Sequence, residues 1–207
     1  AELCKLAENS FRDVNIAFAN ELSMICDGLD INPWELIRLA NRHPRVNVLN
    51  PGPGVGGHCI AVDPWFIVDA SPSQANLIHM AREVNDAKPG HVVLQVKAMI
   101  ADTNQPVIAL LGLTYKADVD DLRQSPALEV VRTLAMEKLG RLLVVEPYIT
   151  SLPEELAQFE DVEKVDLNDA LEQAEVAVLL VDHRQFSDLH PSKLKGFKLL
   201  NTCRGWQ

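Results

Sequence analysis

"PVIALLGL", residues 106–113, is a continuous apolar run of strand length, and the order of the segments after it decides the fold. The polar loop "TYKADVDDLRQS" (114–125) leads into the helical pattern "PALEVVRTLAMEKL" (126–139). Then "RLLVVEPY" (141–148) reads as a strand and "LNDALEQA" (167–174) as a helix, with "VAVLLVDH" (176–183) and "GFKLLNTC" (196–203) as further strands. Strands that are apolar throughout, rather than alternating, are buried on both faces. Strand and helix in alternation predict an α/β unit, a Rossmann-like doubly wound parallel sheet, over residues 103–207. Ligands of such sheets sit beyond the carboxyl ends of the strands. That rule points to residues 114–125, the region of Glu146, the His183 loop and the Cys203–Arg204 end.

Upstream the texture is helical. "AELCKLAENSFRDVNIAFANELSMICDG" (1–28) places apolar residues at Leu3, Leu6, Ala7, Phe11, Val14, Phe18, Leu22 and Ile25, close to helical spacing. The stripe spans more turns than one small domain readily covers, which predicts a homodimer through this first helix. The chain opens inside this pattern, with no methionine and no preceding cap, as expected of a piece of a longer protein. In "DINPWELIRLANRH" (30–43), Asn32 is a good N-cap and Pro33 suits the first helical position. "SQANLIHMAREVND" (73–86) and "KPGHVVLQVKAMIAD" (88–102) read as two helices parted near Pro89–Gly90. Residues 1–102 are expected to form a helical domain around one glycine-rich loop.

Composition narrows the function classes. The 207 residues are 47% hydrophobic and carry a formal net charge of −10, which argues against binding to nucleic acid or acidic membranes. No apolar run reaches membrane-spanning length. Cys4, Cys26, Cys59 and Cys203 are scattered, without a C-x-x-C pair, so free thiols and a cytoplasmic location are expected. No metal site is expected, because no ligand pair stands at zinc spacing.

The glycine-rich loop is "GPGVGGHCIAVDP" (52–64). Gly52, Gly54 and Gly57 fit the spacing G-x-G-x-x-G, but that fingerprint has meaning only between a buried strand and a helix. "NVLNP" before it is short and polar, and "CIAVDPWF" after it carries β-branched residues and Pro64 where a helix should start. What remains is a loop that brings backbone close to something and delivers Cys59 to it. Cys59 is either a nucleophile or a small buried residue. His58, its immediate neighbour, would point elsewhere. Lys5 and Asn9 share a helix face, where they either order a water or are simply solvated. Arg42 and Arg45 suit a diphosphate or the surface, and Lys116 and Arg123 suit a ligand at a strand end or ordinary loop solvation.

Taken together, "AELCKLAEN", "GPGVGGHCIAVDP" and "GLTYKADVDDLRQSPALEVV" resemble the nucleotide-sugar 6-dehydrogenases, the UDP-glucose/UDP-N-acetylmannosamine dehydrogenase group. Ile-Ala-Val stands where the UDP-glucose enzymes tend to carry Phe-Pro-Lys, and "GGHCIAVDPWF" is most similar to the UDP-N-acetyl-D-mannosamine branch. The resemblance implies an NAD-dependent, four-electron oxidation of the sugar C6 alcohol to a uronate, within polysaccharide biosynthesis. One hydride gives an aldehyde, to which the Cys59 thiolate adds. A second hydride leaves a thioester, which water cleaves.

By the same resemblance Lys5 would stabilise the oxyanion and assist proton transfer, while Asn9 and Asp63 would position the water, with Asp63 as base. Arg12, His43, Arg45, Gly56, Tyr115 and Lys116 would contact the UDP-sugar, and Arg123 would approach NAD. The chain departs from the family's pattern in two ways. It holds no strand–GxGxxG–helix unit, and its last strand runs into "NTCRGWQ" where the family has Asp-x-Arg or Asp-x-Lys, leaving Arg204 as the basic candidate. The alternative from another class is a non-catalytic nucleotide-sugar-binding and dimerisation module.

Overall fold

A computed structural model describes residues 2–187, 189, 194 and 196–203; Arg204 lies outside them. The chain begins with helix α1 (Glu2–Leu29), about 42 Å long at 1.5 Å per residue. Helix α2 (Pro33–Ala40) starts as its sequence predicts, with the Asn32 side chain accepting from the backbone N–H groups of Trp34 and Glu35. A long glycine-containing segment then reaches α3 (Asp63–Ala70) and α4 (Asn76–Ile100).

The second half is a five-stranded, wholly parallel sheet of order β3-β2-β1-β4-β5. Its strands are β1 (Val107–Leu111), β2 (Arg141–Val145), β3 (Val162–Lys164), β4 (Val176–Leu179) and β5 (Lys198–Asn201). Register is continuous across the centre, with Ile108 beside Leu142 on one side and Val176 on the other. Helix α5 (Pro126–Met136), short α6 (Glu154–Ala157) and the C-terminal half of α4 cover one face. There Val92, Val96, Val130 and Leu134 pack on Ile108, Leu110, Leu142 and Val178. Helix α7 (Leu167–Gln173) and the turn of α8 (Arg184–Ser187) cover the other, with Ala170 and Phe186 on Ala109, Leu111, Leu143 and Leu179. Two-sided cover explains why the central strands β1, β2 and β4 are apolar at nearly every position. Strand order reverses between β1 and β4, so their carboxyl ends frame the binding crevice of such a sheet.

Two local expectations are corrected. Residues 63–70 form a helix, because Pro64 falls in its first turn, where a missing N–H costs nothing. The proposed break near Pro89 does not occur, and α4 runs through it. Pro89 is buried, and the helix is held on both sides by α1 and the sheet. The strand β3 and helix α6 were not legible, being only three and four residues long.

Within the single chain, the residues at the centre of the apolar stripe of α1 stay outside its buried face. Leu3, Phe11, Phe18 and Ile25 are exposed, whereas Ser10, Asp13, Asn20 and Ser23 are buried against α4. Asn20 donates to Asn85 Oδ1 at 2.9 Å, Asn85 donates to Asp13, and the Arg82 guanidinium pairs with Asp13 at 2.6 Å. Lys88 closes the row by donating to Ser23 Oγ at 2.7 Å. Burial pushes the Asp13 carboxyl up against the pull of Arg82, and it pushes Lys88 down to about 8. No helix among the described residues is long and apolar enough to cross a membrane.

Candidate active site

The glycine-rich loop is shaped by close approach. The Gly57 N–H donates to the Arg123 carbonyl at 3.1 Å, which ties the loop to the segment leaving β1. Gly57 has φ +80°, and a Cβ there would lie 2.9 Å from the Tyr115 ring. A Cβ on Gly56 would lie 2.6 Å from both the Gln124 carbonyl oxygen and Tyr115 Cβ. The glycines therefore press one sequence motif onto the other, rather than cradle a phosphate. Of the G-x-G-x-x-G spacing, Gly54 and Gly57 are thus closed against the protein's own side chains, Pro126 and Tyr115.

Cys59 sits at the end of this loop, half-buried. Its carbonyl accepts the backbone N–H groups of Val62 and Asp63, at 3.2 and 2.8 Å, so the thiol and the start of α3 form one rigid turn. Asp63 is buried and receives two side chains from α1. Lys5 Nζ lies 3.0 Å from Asp63 Oδ2, and Asn9 Nδ2 donates to the same oxygen at 2.6 Å. Burial pushes the Asp63 carboxyl up, but the hydrogen bonds from Lys5 and Asn9 and the Lys5 charge outweigh it and hold the group below its ordinary value. Hydrogen bonding and the charge of Asp63 raise the Lys5 ammonium in turn, and a Cys59 thiolate would add to that. Arg123 also feels Cys59, and its guanidinium is held by Asp121 at 2.6 Å. Lys5 on α1 and Arg123 on the segment leaving β1 thus both interact electrostatically with Cys59 from separate elements.

At the switch point a small pocket of about 190 Å³ is lined by Gly52, Gly54, Tyr115, Lys116, Asp182 and Cys203. The Cys203 thiol is pushed up to about 12 by burial and donates toward the Leu180 carbonyl, so it is an inert wall. The structure brings together Cys59, Lys5, Asn9, Asp63, Gly56, Tyr115 and Arg123, with Lys116 in the adjoining pocket. It does not bring His43 or Arg45 to them, whereas Arg12 stands on α1 seven residues after Lys5 and three after Asn9, on the same helix face. All three are exposed, and no hydrogen bond or ion pair among the described residues joins them to the Cys59 group. His43 and Arg45 follow α2, at the end of α1 remote from Lys5.

The row Asp13, Asn20, Arg82, Asn85 and Lys88 escaped the sequence reading. Its available signal was polar residues at three- and four-residue spacing on two helices, a pattern that usually means a solvated face. Among the described residues, no cluster of three or more metal-ligating side chains occurs.

With this geometry in hand, two family models match the chain. The central domain of the UDP-glucose/GDP-mannose dehydrogenase family matches residues 1–87, and its UDP binding domain matches residues 109–202. The chain belongs to this family. An NDP-N-acetyl-D-galactosaminuronic acid dehydrogenase of Ralstonia solanacearum is 59% identical over 206 residues, covering 100% of this chain and 48% of that protein. A UDP-N-acetyl-D-mannosamine dehydrogenase of Escherichia coli (strain K12) is 59% identical over 194 residues, covering 90% of this chain and 46% of that protein. Among solved structures, a UDP-N-acetyl-mannosamine dehydrogenase from S. aureus superimposes with a TM-score of 0.81 at 42% identity, covering 96% of this chain and 46% of that one. The chain spans about half the length of the relatives it matches. The family's fold is the α/β arrangement described above, and the switch-point pocket is lined from both matched regions, by Gly52 and Gly54 of the central domain and by Tyr115, Lys116 and Asp182 of the UDP binding domain.

Proposed function

We propose that this chain supplies the nucleophile and the UDP-sugar domain of an NAD-dependent UDP-sugar 6-dehydrogenase. UDP-N-acetyl-D-mannosamine is the favoured substrate, because "GGHCIAVDPWF" is most similar to that branch and named dehydrogenases of that sugar match almost the whole chain, with the galacto-configured sugar of the Ralstonia relative as the alternative. The observation that carries the chemistry is the convergence of Lys5 and Asn9 on Asp63, one turn of chain after Cys59. We divide the chain on this reading into a helical unit, 1–102, and a UDP-sugar unit, 103–207.

Each group then has a task. The Cys59 thiolate adds to a sugar aldehyde, forming a C–S bond while the carbonyl electron pair moves onto oxygen. Lys5, exposed and mobile at its tip, meets that oxygen with its ammonium. Both donors to Asp63 use Oδ2, which leaves Oδ1 to accept from the water that cleaves the later thioester. Attack by that water breaks the C–S bond and returns the thiolate. Asp63 takes up the proton of that water as base and then releases it to solvent, and it also orients Lys5 and Asn9. Tyr115 and Lys116 face the nucleotide sugar, with Arg12, His43 and Arg45 as further contacts supplied when the site is assembled. The hydride acceptor, NAD, is held elsewhere in the assembly, and Arg123 is the described residue placed toward it. The exposed stripe of α1 forms the dimer contact, and the enzyme works in the cytoplasm.

The test is titration of the 207-residue chain with a panel of UDP-sugars by calorimetry, with NAD reduction followed in parallel. Binding of UDP-sugars without NADH production is expected. Absence of any UDP-sugar binding refutes the reading, and turnover by this chain alone refutes the placement of NAD.

A further inference from the structure

His183 and Glu146 are almost completely buried, 0% and 1% exposed, yet neither belongs to the Cys59 group. Glu146 follows β2 and His183 follows β4, so the two stand at the carboxyl ends of the strands on either side of β1. The arc that leaves β1 passes between them. Glu146 Oε2 accepts the backbone N–H groups of Leu113 at 2.7 Å and Thr114 at 3.2 Å. The same oxygen lies 3.0 Å from His183 Nε2. On the far side of the ring, His183 Nδ1 accepts the backbone N–H of Asp118 at 2.9 Å. A ring that accepts at Nδ1 and donates at Nε2 is a neutral imidazole in one tautomer.

The arc 114–118 is therefore clamped at both ends by one histidine–carboxylate pair. Further ties fix the far end. Asp118 has φ +58°, and its carboxylate receives the Tyr148 hydroxyl at 2.9 Å and Arg184 Nε at 2.9 Å. Inside the arc, Thr114 Oγ1 donates to the Lys116 carbonyl at 2.9 Å. The residues so held are Tyr115, whose ring rests on Gly57, and Lys116, which lines the switch-point pocket. Burying an imidazole and a carboxylate is costly, and an apolar pair would fill the same space without that cost. What an apolar pair could not do is hold two backbone segments in a fixed geometry.

We propose that His183, acting with Glu146, is a positioning residue of the nucleotide-sugar site: it sets the arc 114–118 so that Tyr115 and Lys116 face the UDP moiety. This rests on the UDP-sugar reading above. The ring links the Asp118 amide to the Glu146 carboxylate through its two nitrogens, and single substitutions separate those links. Glutamine places its amide near the Nε2 position and keeps the contact to Glu146. Asparagine places its carbonyl near the Nδ1 position and keeps the acceptor for Asp118.

The experiment uses the 207-residue chain, with backbone amide exchange followed by NMR and UDP affinity measured by calorimetry. In His183→Gln the Asp118 amide should exchange about tenfold faster while Leu113 and Thr114 keep their protection. UDP affinity should fall about tenfold. His183→Asn should restore Asp118 protection and most of the affinity, a rescue that mere core filling would not produce. Glu146→Gln should weaken UDP in the same direction, with the loss of protection now at Leu113 and Thr114. A folded His183→Gln chain with unchanged UDP affinity overturns the proposal. Failure of both His183→Gln and Glu146→Gln to fold also overturns it, since the pair is then core structure only. If the wild-type chain does not bind UDP, the UDP-sugar reading falls and this assignment falls with it.

Discussion

The ammonium of Lys5 lies 3.0 Å from the carboxylate of Asp63, and the two groups meet from opposite surroundings. Lys5 is exposed on α1, whereas Asp63 is buried at the start of α3, one turn after Cys59. A mobile cation is thus tethered to a fixed anion beside a thiol. Replacing Asp63 by Asn removes the charge and sets an amide N–H group beside Asn9. Asp63→Asn should lower the Lys5 pKa toward its ordinary value, read by NMR of the lysine side chain. It should also cost about 1–3 kcal/mol in urea unfolding.

The pH dependence of stability arises from the same kind of group. Asp63 and Glu146 both titrate below their ordinary values in the folded chain, burial opposing and hydrogen bonds prevailing. Unfolding raises their pKa, so the unfolded state binds more protons as the medium acidifies. Their contribution is fully present above the ordinary carboxylate range and is lost as pH falls through the lower, folded values. Urea midpoints measured from pH 6 downward should fall in the acid range, and the fall should be shallower in Asp63→Asn.

Lys88 has the opposite character. Its pKa is lowered to about 8 by burial, so between about 8 and the ordinary lysine value the unfolded chain binds the extra proton. Stability contributed by this site should rise with pH across that window. Lys88→Met should abolish the rise and stabilise the chain at pH 7 by up to about 3 kcal/mol, read from urea unfolding at pH 7 and at about pH 10.

Two glycine substitutions separate close approach from ordinary helix cost. Gly56→Ala drives a methyl group against the Gln124 carbonyl and Tyr115, and it should part the two loops. UDP-sugar affinity should fall at least tenfold by calorimetry. Gly90 lies within α4 with open space around it, and Gly90→Ala should stabilise by about 0.5–1 kcal/mol with no effect on affinity.

Phe11, Phe18 and Ile25 stand seven residues apart on the exposed face of α1. An exposed stripe of this length marks an interaction surface. The chain should sediment as a dimer at micromolar concentration, and Phe18→Lys should shift it to a monomer without loss of helicity. A monomeric wild-type chain would refute the dimer.

Much of the fold was legible because burial on both faces writes an unmistakable pattern. The strands over 107–111, 141–145 and 176–179 are apolar at nearly every position, and no amphipathic helix of that length looks the same. Local chemistry was equally readable where it is satisfied locally, as at the Asn32 cap. The motifs around Lys5, Cys59 and Tyr115 were visible as sequence, and their types already suggested a nucleophile and its partners.

Tertiary structure alone decided which of these residues meet. Nothing local tells Asn9 that its partner is Asp63, or that Gly56 must lack a side chain because Tyr115 lies against it. The same holds for α1, whose greasy face is outside and whose polar face is inside, because Asp13 and Asn20 find Arg82 and Asn85 on α4. Helical periodicity reports that a helix has two faces, but the choice of the buried one belongs to whichever partner satisfies its hydrogen bonds. Pro89 makes the same point, since local sterics argue for a break and packing on both sides overrides them. A sequence encodes what each residue can do locally, and contacts distant along the chain depend on packing that no short window contains.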